Sequence, residues 1–205
     1  TKDFIALCNN DLVFHDNWFS EIENISKNDK DILSFSPVDP RKELGQYSEN
    51  FVLGYKVTKH IKGWCLICKK ELFEKIGPLD EKFKFYYSDN DFALTLLYNN
   101  IRHALVTKSY VEHLHKVTTK AIKENKDDFF ENSNVICKIP SYLKHPNFNW
   151  ILSDKRVLFD HLTFYNKWGK QDSLYRVISY AKKLNAMHLN FLVKGLFKFK
   201  RLFKI

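Results

Sequence analysis

The chain has 205 residues, of which 44% are hydrophobic and 16% aromatic, enough for a domain with a real core. With only six glycines and five prolines it is not a low-complexity chain. No apolar run reaches the roughly 20 residues that a membrane-spanning helix needs. The formal net charge of +9 favours acidic partners, such as a phosphate-bearing ligand or an anionic surface.

Four cysteines, Cys8, Cys65, Cys68 and Cys137, lack the spacing of a disulfide framework, which indicates a reducing, cytoplasmic compartment. Cys65 and Cys68 form a C-x-x-C pair, but no second pair completes a zinc site. On a strand, an offset of three places these two side chains on opposite faces. We therefore expect two buried or half-buried thiols.

Taken in chain order, apolar runs and turn residues predict alternating strands and helices, and hence an α/β domain. Strands are predicted at 4–8, where the strand is expected to be buried, and at 31–36, 64–68 and 103–107. Helices are predicted at 16–26 with Asp16 as N-cap, at 70–76 before a Gly-Pro turn, and at 91–99 with Ser88 or Asp89 as cap. Pro37 is expected to stop the second strand, residues 41–60 to be irregular or a hairpin, and residues 109–115 to run on to a loop.

Asn9, Asn10 and Asp11 stand where the first predicted strand ends. A carboxylate at this place can bind a divalent cation, Mn²⁺ or Mg²⁺, that bridges the phosphates of a nucleotide. Such an ion stabilises a departing diphosphate. The same triplet is also common turn chemistry, and that alternative stays open.

Ser88, Asp89, Asn90 and Asp91 form an acidic tract at a predicted helix start. An acceptor hydroxyl that attacks a sugar must lose its proton, and Asp89 is the candidate general base. The alternative is that Asp89 and Asp91 are helix N-terminal acids favoured by the helix dipole.

His113 and His115 follow a predicted strand. Imidazole ligates Mn²⁺-like ions and contacts phosphate oxygens, so one of the two histidines could complete the site that Asp11 begins. Histidines in loops are also ordinary surface residues. Which of the two is the ligand stays open.

In this order and spacing, the segments resemble the family-two glycosyltransferases of the GT-A fold, especially the rhamnosyltransferase-like group. The resemblance covers residues 3–120. It rests on the triplet that ends in Asp11 with a Trp downstream, on a glycine-led stretch, on an acidic tract and on a Val-x-His. The matching positions are Asn9, Asn10, Asp11, Trp18, Gly63, Ile67, Phe73, Ile76, Gly77, Leu79, Asp80, Phe83, Asp89, Asp91, Val111 and His113.

The resemblance implies roles for individual residues. Asp11 would be a metal ligand, His113 a metal or diphosphate contact, and Asp89 the catalytic base. The donor and acceptor contacts would come from Asn9, Asn10, Gly63, Trp64, Ser88, Asp91 and His115. Ser88 departs from the Glu or Gln that is common in the family, and His115 departs from a stretch that is often rich in glycine.

The resemblance also divides the chain. Residues 1–125 would be a partial, Rossmann-like GT-A core that holds the metal and acceptor half, without the N-terminal nucleotide-binding part, so a truncated or split enzyme is expected. Residues 126–170 would be a divergent part that closes on Lys167-Trp168-Gly169. Residues 171–205 would be a basic, amphipathic helical tail, because no acidic residue follows Lys182.

The expected function is metal-dependent, inverting transfer of a sugar from a nucleotide-diphosphate donor to a glycan or lipid-linked acceptor. The tail is expected to bring the chain to the inner face of the membrane as a peripheral protein. A non-catalytic or split glycosyltransferase-like module that binds glycan or membrane is the alternative. Nucleic-acid binding is the rival that the basic charge suggests, but the chain shows no nucleic-acid motif.

Overall fold

A computed structural model describes residues 3–114, 139–170 and 174–203, with the backbone alone at 174–176 and 201. His115 and Cys137 lie outside the described residues. The chain divides into two compact units, the first made of Thr1–Pro78 with Phe92–Glu124 and the second of Leu79–Asp91 with Asn125–Ile205. The predicted α/β class is confirmed.

The first unit is built on a six-stranded sheet. Its strands are β1 (Phe4–Cys8), β2 (Leu12–Phe14), β3 (Ile32–Val38), β4 (Phe51–Leu53), β5 (Cys65–Lys69) and β6 (Arg102–His113). The strand order is β1-β5-β3-β6-β2, and β4 also pairs with β6. The β3–β6 pair is parallel and every other pair is antiparallel.

Three helices lie in this unit: α1 (Trp18–Asn28), α2 (Pro40–Glu43) and α3 (Lys70–Ile76). A fourth helix, α4 (Ser88–Tyr98), contributes its residues from Phe92 onwards. Two buried clusters cover the sheet, one centred on Phe35 and Ile67 and the other on Leu72 and Leu96. β3 is buried along its whole length. A strand covered on both faces buries polar residues too, and its two serines have hydrogen-bond partners, Ser34 in His103 and Ser36 in the N–H of Lys62.

The prediction that the first strand is buried is wrong. β1 has the predicted bounds, but Ile5, Ala6 and Cys8 are exposed. Among the described strands, β1 pairs only with β5 and lies at the end of the strand order. One of its edges is therefore not covered by any described strand.

The last strand is longer than predicted. β6 runs through residues 109–113, where a loop was expected, because β2 pairs antiparallel with Val111, Glu112 and His113. Ser109 is fully buried within this extension. His113 therefore ends a strand and does not lie in a loop.

Three further boundaries differ from the prediction. Asn17, in the left-handed region at φ 60°, is the N-cap of α1 in place of Asp16. β3 continues through Pro37 to Val38, with a register shift at that point that accommodates the missing N–H. Residues 41–60 are not irregular throughout, since α2 lies at their start and β4 joins the sheet.

The cysteines on β5 are placed as expected. Cys65 and Cys68 are both fully buried, and they belong to different clusters on the two faces of the sheet. α3 ends, also as predicted, at Gly77, whose φ of 75° favours glycine. α4 begins at Ser88, three residues before the predicted start, so Ser88 and Asp89 lie in its first turn.

The second unit contains the non-helical segment 79–87 and is mainly helical in its described part from Ser141 onwards. Two short 3₁₀ segments, Ser141–Lys144 and Pro146–Phe148, lead into α5 (Asn149–Leu152), α6 (Lys155–Trp168), α7 (Leu174–Ala186) and α8 (Asn190–Phe203). A small cluster of Leu143, Ile151, Val157 and Leu162 forms its core. None of the described helices is both long and apolar enough to cross a bilayer.

The basic tail consists of two helices, not one. α7 and α8 are separated near His188, which has a φ of 59°. Lys200 does not belong to the solvent-exposed charge of α8, because its Nζ donates to the carbonyls of Trp168 at 2.7 Å and Lys170 at 2.8 Å. Burial lowers the pKa of Lys200 to about 8. This lysine caps the C-terminal end of α6.

Candidate functional site

Two of the predicted ligands, Asp11 and His113, meet in the first unit. Asp11 Oδ1 lies 3.2 Å from His113 Nε2. Both side chains are largely buried, with 4% of the Asp11 side chain and 12% of the His113 side chain exposed. A carboxylate and an imidazole removed from bulk water interact more strongly with a charged ligand than the same groups on an open surface.

The backbone holds this pair in place. The N–H of Leu114 donates to the carbonyl of Asp11 at 2.9 Å, and Leu12 lies opposite His113 in the β2–β6 ladder. The short strand β2 thus directly follows Asp11 and fixes it against the end of β6. Residues from distant parts of the sequence are brought together by strand pairing.

Asn9 and Trp64 complete the surroundings of His113. The Trp64 indole stacks on the imidazole with ring centroids 5.3 Å apart and an angle of 21° between the planes. Asn9 Nδ2 lies 3.4 Å from His113 Nε2, and the Asn9 N–H donates to the Trp64 carbonyl at 2.9 Å. The stacked ring restricts rotation of the imidazole, so Nε2 stays directed at Asp11.

The donor atoms of this pair suit a divalent cation. The 3.2 Å between Asp11 Oδ1 and His113 Nε2 is the distance of a direct ion pair, and it is also close to the separation of about 3 Å between neighbouring ligands of an octahedral ion bound at about 2.1 Å. Within residues 3–114, 139–170 and 174–203, no group of three or more His, Cys, Asp or Glu side chains could hold a metal. Two protein ligands fit an ion that shares its remaining positions with water and substrate phosphates.

Arg41 links the end of β6 to two nearby carboxylates. Its guanidinium donates to the carbonyl of His113 and to both carboxylate oxygens of Asp39 at 3.3 Å, and it lies 3.5 Å from Glu112. Burial alone would raise the pKa of Asp39, but the hydrogen bonds and charge of Arg41 outweigh it and lower that pKa. Arg41 was not singled out from the sequence. The signal that could have identified it is its position just after Asp39 and Pro40, where a buried strand ends.

Other predicted contacts of this unit are more open. Asn10 and Gly63 are exposed, and Gly63 directly precedes Trp64. His115 lies outside the described residues. Among the described residues the structure therefore gathers Asn9, Asp11, Trp64 and His113 at one place.

Asp89, the candidate base, belongs to the second unit and lies in the first turn of α4. Its Oδ1 accepts a hydrogen bond from the N–H of Asn90 at 2.9 Å. Burial raises the pKa of the Asp89 carboxyl, and the hydrogen bond only partly opposes this effect. A carboxylate with a raised pKa is a stronger base than an exposed one.

The loop that leads to Asp89 is held by a buried carboxylate, Asp160. Its two oxygens accept the consecutive backbone N–H groups of Lys84 at 3.0 Å, Phe85 at 2.8 Å and Tyr86 at 2.7 Å. Asp160 is fully buried on α6. Charge-assisted hydrogen bonds of this kind fix the backbone more firmly than neutral ones.

A second set of hydrogen bonds fixes Tyr87. Its hydroxyl lies 2.8 Å from Nδ1 of His161, whose Nε2 lies 2.6 Å from the hydroxyl of Tyr142. Tyr87 adopts a φ of 63°, uncommon for a bulky residue, two positions before Asp89. Strained backbone persists where its surroundings enforce it, and such positions cluster at functional sites.

Asp91 has a different environment from Asp89. It is buried, and its carboxylate accepts hydrogen bonds from the Trp168 indole at 2.6 Å and from Lys167 at 3.0 Å. Lys167 also contacts Asp80 at 2.8 Å. Asp80 of the glycine-led stretch, Asp91 of the acidic tract and the pair Lys167-Trp168 thus lie together within the second unit. These contacts supply the Asp91 carboxylate with hydrogen-bond partners without a bound ligand.

Sequence reasoning also missed Asp160 and His161. Both lie on the buried stripe of α6, together with Val157, Phe164 and Trp168. An acid and a histidine at positions where the helical period demands apolar residues were the available signal.

Comparison of this chain with known protein families, with curated proteins and with solved structures gives no match. The functional interpretation therefore depends on the residues and their geometry.

Proposed function

We propose that this chain acts as a glycosyltransferase of the GT-A type, which transfers a sugar from a nucleotide-diphosphate donor to a hydroxyl of a glycan or lipid-linked acceptor. The observation that carries the proposal is the buried Asp11–His113 pair, 3.2 Å apart and stacked on Trp64. This is the pair that the resemblance assigns to the metal and the diphosphate.

Asp11 and His113 would hold a divalent cation, and the chemistry that such an ion supplies there is neutralisation of charge on the leaving diphosphate. Arg41 would hold the end of β6 in place through its hydrogen bond to the His113 carbonyl. Trp64 offers the part of its indole that His113 does not cover to a sugar or nucleoside ring. The pair therefore acts on the donor side of the reaction.

Asp89 would act on the acceptor side. Its carboxylate would accept the proton of the acceptor hydroxyl while the hydroxyl oxygen bonds to the anomeric carbon. The bond from that carbon to the nucleotide diphosphate breaks in the same step, so the configuration at the anomeric carbon is inverted. The raised pKa of Asp89 suits this role, because a general base with an ordinary carboxyl pKa is weak at neutral pH. Asp160 and His161 would act as positioning residues for the segment before it.

The proposal is tested by release of nucleotide diphosphate from UDP-, GDP- and dTDP-sugars, with Mn²⁺ or Mg²⁺ and with candidate acceptors. We expect metal-dependent release with one donor class. Asp89→Asn should lower transfer by at least about 100-fold, which is the scale of general-base catalysis. Asp31→Asn, at an exposed aspartate, is the matched control and should retain full activity.

Failure has two distinct forms. Release that persists in Asp89→Asn at the wild-type rate would remove Asp89 from the mechanism. Absence of release with every donor, in a chain that still binds Mn²⁺ through Asp11, would leave the alternative of a non-catalytic module that binds glycan.

The same proposal includes a peripheral contact with an anionic membrane, at the cytoplasmic face. Large apolar side chains are exposed on α8 and just before it, with exposed fractions of 69% for Phe191, 69% for Leu202, 64% for Phe203 and 65% for Met187. Lys194 and Lys198 are exposed on the same helix. Exposed apolar residues beside cations are the pattern of interfacial helices.

Vesicle binding tests this contact. We expect sedimentation with vesicles that contain phosphatidylserine, weaker binding at high salt, and little binding to phosphatidylcholine alone. Phe191→Ser with Phe203→Ser should abolish binding, whereas Lys200→Met should spare it because Lys200 is buried. Binding to oligonucleotides in preference to vesicles would instead support the nucleic-acid alternative.

A further inference from the structure

Cys8 and Cys65 face each other across two neighbouring strands. Their Sγ atoms are 3.6 Å apart, and the two residues are direct partners in the β1–β5 ladder. Cys8 is exposed, whereas Cys65 is fully buried. The proposed transfer reaction gives these two thiols no role.

The hydrogen-bond pattern shows which kind of pair they form. At one end of the ladder the Asn9 N–H donates to the Trp64 carbonyl, and at the other end the Lys70 N–H donates to the Asp3 carbonyl. The pairs Asn9–Trp64 and Asp3–Lys70 are therefore hydrogen-bonded pairs. Pairs alternate along an antiparallel ladder, which makes Cys8 and Cys65 a non-hydrogen-bonded pair. In such pairs the Cα atoms are about 4.5 Å apart, within the range that a disulfide spans.

We propose that Cys8 and Cys65 form an oxidation site that a hydroperoxide converts to an intramolecular disulfide. The Cys8 sulfur attacks the peroxide, so that an S–O bond forms, the O–O bond breaks and an alcohol or water leaves. The Cys65 sulfur then attacks the Cys8 sulfenic acid, so that the S–S bond forms and water leaves with the Cys65 proton. Two thiols and one hydroperoxide thus give one disulfide, one water and one alcohol or second water.

The roles of the two cysteines follow from their surroundings. Cys8 is the accessible attacking thiol, and the hydrogen bond from Cys65 lowers the pKa of Cys8 to about 7. Cys65 is the buried resolving thiol, and that same contact, together with burial, raises its pKa. The lowered pKa gives Cys8 a larger thiolate fraction than an ordinary thiol at pH 7, and the thiolate is the form that attacks.

The site adjoins the residues around His113. Cys8 precedes Asn9 and Cys65 follows Trp64, the two residues that contact the imidazole. A disulfide would tie these two segments together covalently. The proposal stands apart from the transfer reaction, because its readout is the covalent state of the two thiols.

The test isolates the two thiols. The full chain carries Cys68→Ala and Cys137→Ser, which leaves Cys8 and Cys65, and is treated with hydrogen peroxide at pH 7. Removing Cys68 matters because Cys65 and Cys68 share the tryptic peptide between Lys62 and Lys69. We expect loss of two hydrogens by intact mass, a linked peptide pair in a non-reducing digest, and full reversal by dithiothreitol.

The matched control carries Cys65→Ser and Cys137→Ser, which keeps Cys8 and Cys68. Cys68 lies opposite Ile5 in the ladder and points to the other face of the sheet. Intramolecular linkage should be slower there by at least about ten-fold, since the geometry for a bridge is absent. Circular dichroism establishes that both variants are folded.

Three results would overturn the proposal. In the first, both thiols of the first variant still react with iodoacetamide after peroxide treatment and unfolding. In the second, peroxide carries Cys8 to the sulfinic acid without a link. The third is linkage at the same rate in the control variant, because the reaction would then not depend on the facing pair.

Discussion

His113 ends the strand β6, and its Nε2 lies 3.2 Å from the carboxylate of Asp11, which precedes the strand that pairs with β6. The register of β2 against β6 is what brings these two side chains together. A shift of β2 by one residue in that register would move Asp11, the residue just before β2, away from its place beside His113. Strand pairing thus governs the donor side of the proposed site.

The first prediction concerns the ligand pair. Asp11→Asn and His113→Ala should each weaken Mn²⁺ binding by at least about ten-fold, because each removes one of two protein ligands. Isothermal titration calorimetry or the loss of the free-Mn²⁺ electron paramagnetic resonance signal measures it. Asp16→Asn, an exposed acid on the same segment, is the control. Unchanged affinity in both ligand variants would remove this pair as a metal site.

The second prediction concerns Asp89. Its pKa is raised above 3.8 in the folded chain, so ionised Asp89 costs stability, and this cost appears as the pH rises through the folded-state pKa. Asp89→Asn should therefore unfold at a urea concentration equal to or above that of wild type at pH 7, although it loses transfer. A variant that loses both stability and transfer would point to a structural role. Carbon-13 titration of the carboxyl reads the direction of the pKa shift itself.

The third prediction concerns Asp160. Asp160→Ala removes a buried carboxylate and leaves three backbone N–H groups without their acceptor, and we expect a loss of about 3 kcal/mol of stability. Asp154→Ala, which removes the N-cap of the same helix, should cost only about 1 kcal/mol. Urea denaturation followed by circular dichroism compares the two. Equal losses in both variants would argue against a special role for the buried carboxylate.

The fourth prediction concerns His103, which is fully buried between Ser34 and the carbonyl of His60 at 2.8 and 3.0 Å. Burial lowers its pKa from 6.5 to about 4. As the pH falls, His103 therefore takes up a proton at a higher pH in the unfolded chain than in the folded chain. The free energy of unfolding keeps its full contribution from this group above pH 6.5 and loses it as the pH falls towards 4. The loss from this one group is about 3 kcal/mol.

His103→Gln, whose amide can still donate and accept, provides the comparison. The stability difference between wild type and variant should shrink as the pH is lowered from 7 to 4, measured by urea denaturation at each pH. A difference that stays constant over this range would mean that His103 does not remain neutral in the folded chain.

The amino-acid sequence by itself determined the local elements. The bounds of β1 and α3, the glycine that ends α3, and the opposite faces of Cys65 and Cys68 follow from short-range periodicity and turn chemistry. The candidate residues Asp11, Asp89 and His113 also followed from local pattern. These features depend on neighbours a few positions away, which a single sequence displays.

The sequence offered His113 or His115 as the partner of Asp11, and only the tertiary structure placed His113 beside it. The exposure of β1, the extension of β6 to His113 and the contact of Asp11 with that histidine depend on strand pairs between remote segments. Asp160 lies on a helical stripe that the sequence shows, but its partners are backbone N–H groups far away in the chain. Long-range pairing is the outcome of the whole chain's packing, and no local pattern encodes it.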